Sequence, residues 1–366
     1  MKELFRFIYA NVKKGIFCIR RKRYDVKEDT FYSLKEIIMT AVNEKKELDV
    51  VALGELLIDF TENGVSEQGN PLLEANPGGA PCNVLSMLTR YGRKTAFIGK
   101  VGNDGFGNLL EKAIVEQGIS AEGLKKDNEV HTTLALVLKL ANGDRDFAFY
   151  RKPGADVNLY EDEVDVELIR KARLFHFGSL SLTDEPARSA THKAISTAQE
   201  AGLVISFDPN LREPLWPTLD DAKEQIDWGM QQTDILKISD NEITWFTGKD
   251  DYDDGIAYLF EKYPNLKLIC LSMGPDGSRA YWKGLRVEVP AFLQSGTIET
   301  TGAGDTFCAG MINAVLKYGL DGFDEEKLKD MLVKANASAS LVTTKKGALR
   351  VMPTMDEIKA FIESRK

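Results

Sequence analysis

The chain alternates short, nearly unbroken apolar runs with segments whose apolar residues recur every three to four positions. The first run, DVVALGELLIDF at residues 49–60, has almost no polar interruption, as a strand buried on both faces of a parallel sheet requires. NVLSMLTRYG (83–92) has helical spacing and a glycine stop at Gly92. TAFIGKV (95–101) predicts a second strand, and FGNLLEKAIVEQG (106–118) a second helix closed by Gly118. The rhythm resumes with RLFHFGSLSL (173–182), a helix over 186–202, LVISFD (203–208), a helix near 221–232 and DILKIS (234–239). A helical segment near 256–262 and the strand LKLICLS (266–272) follow. Strands repeatedly separated by helices predict an α/β fold: a doubly wound, Rossmann-like, mostly parallel sheet with helices on both faces.

Two stretches break the rhythm. TTLALVLKL (132–140) and DFAFYR (146–151) flank ANGDR, whose Asn142-Gly143 is a hairpin signal. SRAYWKGLRVEVP (278–290) reads as another hairpin. Strands joined without a helix cannot be parallel neighbours, so the first pair is expected in a small β lid beside the main sheet, with lid strands near 58–76 and 131–151. Residues 1–47 fall outside the α/β pattern. Their basic tract and FYSLKEIIMTAVNEKK predict a largely helical extension before a body at 48–366, either docked and solvated or set against a membrane or partner.

Composition narrows the function classes. With 366 residues, 43% hydrophobic and 28% charged, the chain is that of an ordinary globular protein. Its net charge of −9 argues against a nucleic-acid binder, which needs lysine and arginine to neutralise phosphates. Cys18, Cys82, Cys270 and Cys308 are far apart, as are the three histidines, so a zinc site has no spacing to support it. No apolar run is long enough to span a membrane, and Lys13-Lys14 interrupts what a secretory signal would need; a cytoplasmic protein without stable membrane insertion is expected.

The segment that carries chemistry is ETTGAGDTFCAGM (299–311). Gly302 and Gly304 flank Ala303 just before Asp305 and an apolar helical run. Glycines let backbone N–H groups turn onto a ligand, and the helix start adds its positive dipole end. The product is a pocket for charge developing on a transferring phosphoryl group. Asp305 at its mouth is either a helix N-cap or a general base toward a hydroxyl; the full TTGAGD string favours the base. GGAPCN (78–83) supplies a second glycine turn, in which Gly78 and Gly79 admit a ligand and Asn83 offers both a donor and an acceptor. Asp59 is expected at the end of the first strand, where ligands of open α/β sheets bind. No G-x-x-x-x-G-K-[ST] loop occurs, and GNDGFG (102–107) lacks dinucleotide-site spacing.

These two motifs, in this order at opposite ends of the body, resemble the signatures of the ribokinase-like (PfkB) carbohydrate kinase family. FYRKPGAD (149–156) and SFDPNLREPLW (206–216) are similar to the fructokinases within it, which implies ATP-dependent phosphorylation of D-fructose, or of another acceptor such as ribose, 2-keto-3-deoxygluconate or aminoimidazole riboside. The resemblance implies that Asp59 binds sugar hydroxyls and that Arg151 lies near the acceptor or the incoming phosphate. It implies Mg²⁺ near Asn210, Glu213 and Glu242, and nucleotide phosphates near Lys237 and Thr301. It also places the adenosine site at Ser272, Gly274, Gly277 and Asn336. A homodimer through the lid is expected. Relatives carry aspartate where this chain has Glu299, beside a monovalent-cation site, so the resemblance leaves K⁺ open and implies that it activates weakly.

Overall fold

The computed structural model describes residues 46–139 and 145–365. The chain divides into two compact units, Met1–Lys46 and Glu47–Lys366. The expected helical extension and the hairpin turn at Asn142-Gly143 lie outside the described residues.

The first apolar run is two strands, not one. β1 (Leu48–Leu53) lies in the large sheet; β2 (Leu57–Val65) leaves it and, with β3 (Pro71–Gly78), opens a second sheet. Both halves are buried and apolar, so hydropathy marks no boundary between them. The break at 54–56 is set by packing: the Pro81 ring lies where a Gly54 Cβ would point, and the Glu55 carbonyl lies where a Gly79 Cβ would point. Asp59 therefore belongs to a lid strand rather than to the end of a main-sheet strand.

The chain continues through α1 (Ala80–Arg90), β4 (Thr95–Gly102), α2 (Gly105–Glu116) and β5 (Ile119–Asp127). Next come β6 (Leu134–Lys139), β7 (Arg145–Tyr150), α3 (Val166–Arg170), β8 (Ala172–Gly178), α4 (Ala187–Glu200) and β9 (Val204–Asp208). α5 (Leu219–Gln231), β10 (Ile235–Ser239), α6 (Asp240–Thr247), α7 (Tyr252–Lys262) and β11 (Leu268–Ser272) extend the α/β alternation. The hairpin β12 (Ser278–Trp282) and β13 (Leu285–Val289) precedes α8 (Ala303–Tyr318), α9 (Glu325–Val342) and α10 (Met355–Glu363).

The large sheet runs β13-β12-β11-β10-β9-β8-β1-β4-β5, parallel except for the β12–β13 hairpin at one edge. From β1 the chain winds outward to β5, then returns to β8 on the other side of β1. The order reverses between β1 and β8, where Val51 sits opposite Phe175. Ligands of such sheets bind beyond the carboxyl ends at this switch point. Alternate residues of β1 serve opposite cores: Val50 and Ala52 pack toward α1 and α8, while Val51 and Leu53 pack toward α4. The small sheet, β3-β2-β6-β7, is mixed: β2 pairs antiparallel with β3 but parallel with β6.

Candidate active site

The start of α8 carries the glycine motif at 302–305. Its N-cap, Gly302, has φ +80° and offers no side-chain cap, and a Cβ there would lie 2.6 Å from that of Ala348. The Ala303 N–H closes a turn on the Thr300 carbonyl at 3.2 Å. The next N–H groups, at Gly304 and Asp305, precede any carbonyl the helix can offer them. The turn takes the Ala303 N–H out of the set available to an anion. Lys237 lies beneath, with its Nζ 3.3 Å from where a Cβ on Gly304 would be and 3.1 Å from Asp208 Oδ1. Burial opposes its charge, but Asp208 and Glu242 hold the ammonium above its ordinary pKa, so it is a fixed cation under the pocket floor.

Asp305, in the first turn of α8, is buried, and burial raises its pKa against the Asn83 hydrogen bond and the charges of Lys237 and Arg212. Asn83 Nδ2 donates to Asp305 Oδ2 at 2.8 Å, which joins the two sequence motifs in space across 222 positions. Asn83 is not the cap of its helix; Gly79 is, with φ +121°. Asn83 Oδ1 is buried and has no partner among the described residues.

These groups wall a cavity of about 220 Å³ together with Asp59, Gly79, Asn210, Arg212 and Thr301. Leu57, Val137 and Phe149 reach in from the lid and Leu180 from the body. Gly78 is not among this cavity's walls; it lacks a side chain because the Asp59 carboxylate occupies that space. Burial pushes Asp59 up to about 7, opposed by Arg212 and reinforced by Glu299 and Asp305. Thr301, expected near the nucleotide, stands on this wall and donates to Glu299 Oε1 at 2.5 Å. Glu299 Oε2 accepts the Gly347 N–H at 3.1 Å. With both oxygens engaged inside the protein, replacing a bulky organic cation by K⁺ at fixed ionic strength is expected to give little or no stimulation of turnover.

Arg151 is not in this cavity. Its guanidinium is buried, paired with Asp156 Oδ2 at 2.7 Å, and it donates to Thr183 Oγ1 and the Leu180 carbonyl at 2.8 Å each. A buried carboxylate outcompetes an open cavity for such a fork. The guanidinium that does line the cavity is that of Arg212, which donates to the Asn210 and Leu211 carbonyls at 3.4 and 3.1 Å. Arg151→Ala should therefore cost about 3–5 kcal/mol of stability, since it strands Asp156. Arg212→Ala should lower turnover with Tm unchanged. Thermal melts beside steady-state rates separate the two.

A second cavity, about 370 Å³, is lined by Ser272, Gly274, Gly277, Phe292, Leu293, Phe307 and Asn336 among others. Its walls are mostly apolar. The Asn336 amide is engaged within the protein: Oδ1 accepts from Ser278 Oγ at 2.8 Å, and Nδ2 donates to the Val289 and Pro290 carbonyls. Both Nδ2 hydrogens are thus taken, and the second lone pair of Oδ1 is what the amide retains for a ligand. Thr300 and Gly304 line both cavities. The two spaces thus meet at the start of α8.

The expected metal ligands do not converge. Asn210, at φ +46°, lines the first cavity, but Glu213 is exposed and lines neither. Glu242 caps α6, accepting from Ser239 N–H and Oγ and from Leu211 N–H at 2.8 Å each. Helix-start chemistry claims its carboxylate, so it is no free ligand. Among the described residues no group of three His, Cys, Asp or Glu side chains forms a metal cage. The sequence reading missed Glu55 and Asp208, both buried acids. Asp208 was within reach, since it ends a predicted strand beside Asn210; Glu55 was hidden inside an apolar run.

The profile of the pfkB family carbohydrate kinases matches residues 47–355. Fructokinase-2 of Solanum lycopersicum is 42% identical over 310 residues, 84% of this chain and 94% of its own. A fructokinase from Xylella fastidiosa, solved with ATP, superposes with a TM-score of 0.79 at 28% identity, over 88% of this chain and 99% of its own. A double mutant of the Vibrio cholerae fructokinase, solved with fructose, ADP and a potassium ion, gives 0.77 at 28% identity, over 86% and 98%.

Proposed function

Since the chain belongs to the pfkB family of carbohydrate kinases, we propose that it transfers the γ-phosphoryl group of ATP to the 6-hydroxyl of D-fructose, giving fructose 6-phosphate and ADP. The observation that carries this reading is the meeting of a smaller cavity of mixed polarity and a larger, mostly apolar one at Thr300 and Gly304, beside a buried carboxylate. The fructokinase relatives support the acceptor, and the ATP and ADP bound in the solved neighbours support the donor.

Sugar lies in the smaller cavity with hydroxyls on Asp59 and on the unpartnered Asn83 Oδ1; ATP lies in the larger, with its phosphates reaching the α8 start. The Asp305 carboxylate takes the proton of the attacking hydroxyl as the oxygen bonds to the γ-phosphorus. The bond from that phosphorus to the bridging oxygen breaks, and ADP leaves. Charge gathering on the transferring group meets the Gly304 and Asp305 N–H groups, with Arg212 from the sugar side and the fixed charge of Lys237 below. Mg²⁺ would neutralise the ATP phosphates. Of the expected ligands Asn210, which lines the smaller cavity, is the one placed to help hold it.

Two further readings belong here. The lid exposes Val65, Leu72, Leu73 and Tyr150 beside open strand edges, a surface suited to a second copy of this chain. A cytoplasmic location accords with the kinase reading, and among the described residues no helix is long and apolar enough to cross a membrane.

Coupled ADP detection across fructose, ribose, 2-keto-3-deoxygluconate, adenosine and aminoimidazole riboside tests the acceptor. Fructose should give the highest kcat/KM. A clear win for another compound would retire fructose and leave the kinase chemistry intact.

A further inference from the structure

Glu55 takes no part in the transfer just described, yet it lines the smaller cavity and is only 4% exposed. It stands in the link 54–56 between β1 of the large sheet and β2 of the lid. Its Oε1 accepts the Ala80 N–H, the first of α1, at 2.7 Å. A helix start normally takes its cap from a Ser, Thr, Asp or Asn at the N-cap itself. That solution is closed here, because residue 79 has φ +121° and the Glu55 carbonyl fills the place of its Cβ. The cap arrives instead from 25 positions away, as a carboxylate at the positive end of the helix.

Two contacts, one from the Glu55 side chain and one from its main chain, thus fix where α1 begins. Asn83 rides on the first turn of that helix and donates to Asp305. Its other amide atom, Oδ1, has no partner among the described residues, so within the protein nothing else holds the amide if α1 shifts. We propose that Glu55 is a positioning residue for Asp305: by capping α1 from the lid link, it sets Asn83 and, through it, the orientation of the general base. The inference rests on the kinase reading above.

Arg151, Asp156 and the Cys82 thiol are the charged or titratable groups that act on Glu55. Burial pushes its carboxyl up to about 7, and either protonation state can accept an N–H. Glu55→Gln therefore keeps the acceptor, whereas Glu55→Met keeps the volume and removes it. The methionine variant loses a costly buried carboxylate but leaves the Ala80 N–H unpaired, two opposing effects, so it is expected to fold with Tm near that of the wild type.

The test is steady-state kinetics of the full chain with fructose and ATP, run beside thermal melts. Glu55→Met should lower kcat by roughly 10–100-fold, the range a misplacement of about 1 Å produces, with both KM values changed only a few fold. Glu55→Gln should restore most of the loss. Adding Glu55→Met to Asn83→Ala should lower kcat no further than Asn83→Ala alone, because both act on one group. Wild-type kcat in Glu55→Met, equal losses in the Met and Gln variants, or multiplicative losses with Asn83→Ala would each overturn the positioning role. So would a Glu55→Met chain that fails to fold, since the role is then structural. An inactive wild type overturns the kinase reading and this inference with it.

Discussion

Asp305→Asn should lower kcat by about 10²–10⁴-fold, the range for removing a general base, while fructose and ATP dissociation constants change only a few fold. The amide nearly matches the carboxylate in shape, and its oxygen can still accept from Asn83 Nδ2. What it cannot do is take the hydroxyl proton as the bond to phosphorus forms. Stability should move the other way. Asp305 has its pKa raised by burial, so the stability its neutral form allows is present in acid and is lost as pH rises through that raised value. Near neutral pH the ionised wild type bears this cost and the asparagine does not, so Tm should hold or rise. The same shift predicts an acid limb in wild-type kcat above the ordinary carboxylate range. A pH–rate profile, melts and binding isotherms decide together: near-normal kcat refutes the base assignment, and an unfolded variant makes Asp305 chiefly structural.

Gly302→Ala should be the second severe lesion, with a different signature. At φ +80° an L side chain costs roughly 1–2 kcal/mol. The new methyl would also lie 2.6 Å from the Ala348 Cβ, which packs in the core beside α8 and cannot swing away. Relief requires the start of α8 to move, which takes the Gly304 and Asp305 N–H groups off the transferring phosphoryl group. Losing one such donor costs about 10²–10³ in kcat. Turnover and Tm should therefore fall together, whereas Asp305→Asn separates them. Wild-type kcat in Gly302→Ala would mean that these N–H groups do not hold the transition state.

Much of the fold could be read along the chain because its strands are buried on both faces and its helices on one. Two-sided burial writes unbroken apolar runs such as LVISFD and LKLICLS, and one-sided burial writes the spacing of α1 and α2. β5 escaped notice because it is an edge strand, ISAEGLKKD, with one partner and polar residues on its open side. The boundary between β1 and β2 was illegible for the opposite reason: both sides of it are core.

The motif proposed as catalytic was legible because its geometry is local. Gly302, Gly304 and Asp305 lie within four residues, and the helix start that gives them meaning is in the same segment. The side chains whose roles changed depend on distant partners. Arg151 is captured by Asp156 and by the Leu180 and Thr183 turn, Glu242 by the Leu211 N–H, and Asn336 by Ser278 and the end of β13. The same holds for Glu55 and Ala80 and for Asn83 and Asp305. Backbone conformation and periodic burial are decided by near neighbours, so the sequence alone determined the α/β plan, the lid and the anion pocket. A polar side chain is committed by whichever partner desolvates with it, and that partner is brought near only by the packed tertiary structure.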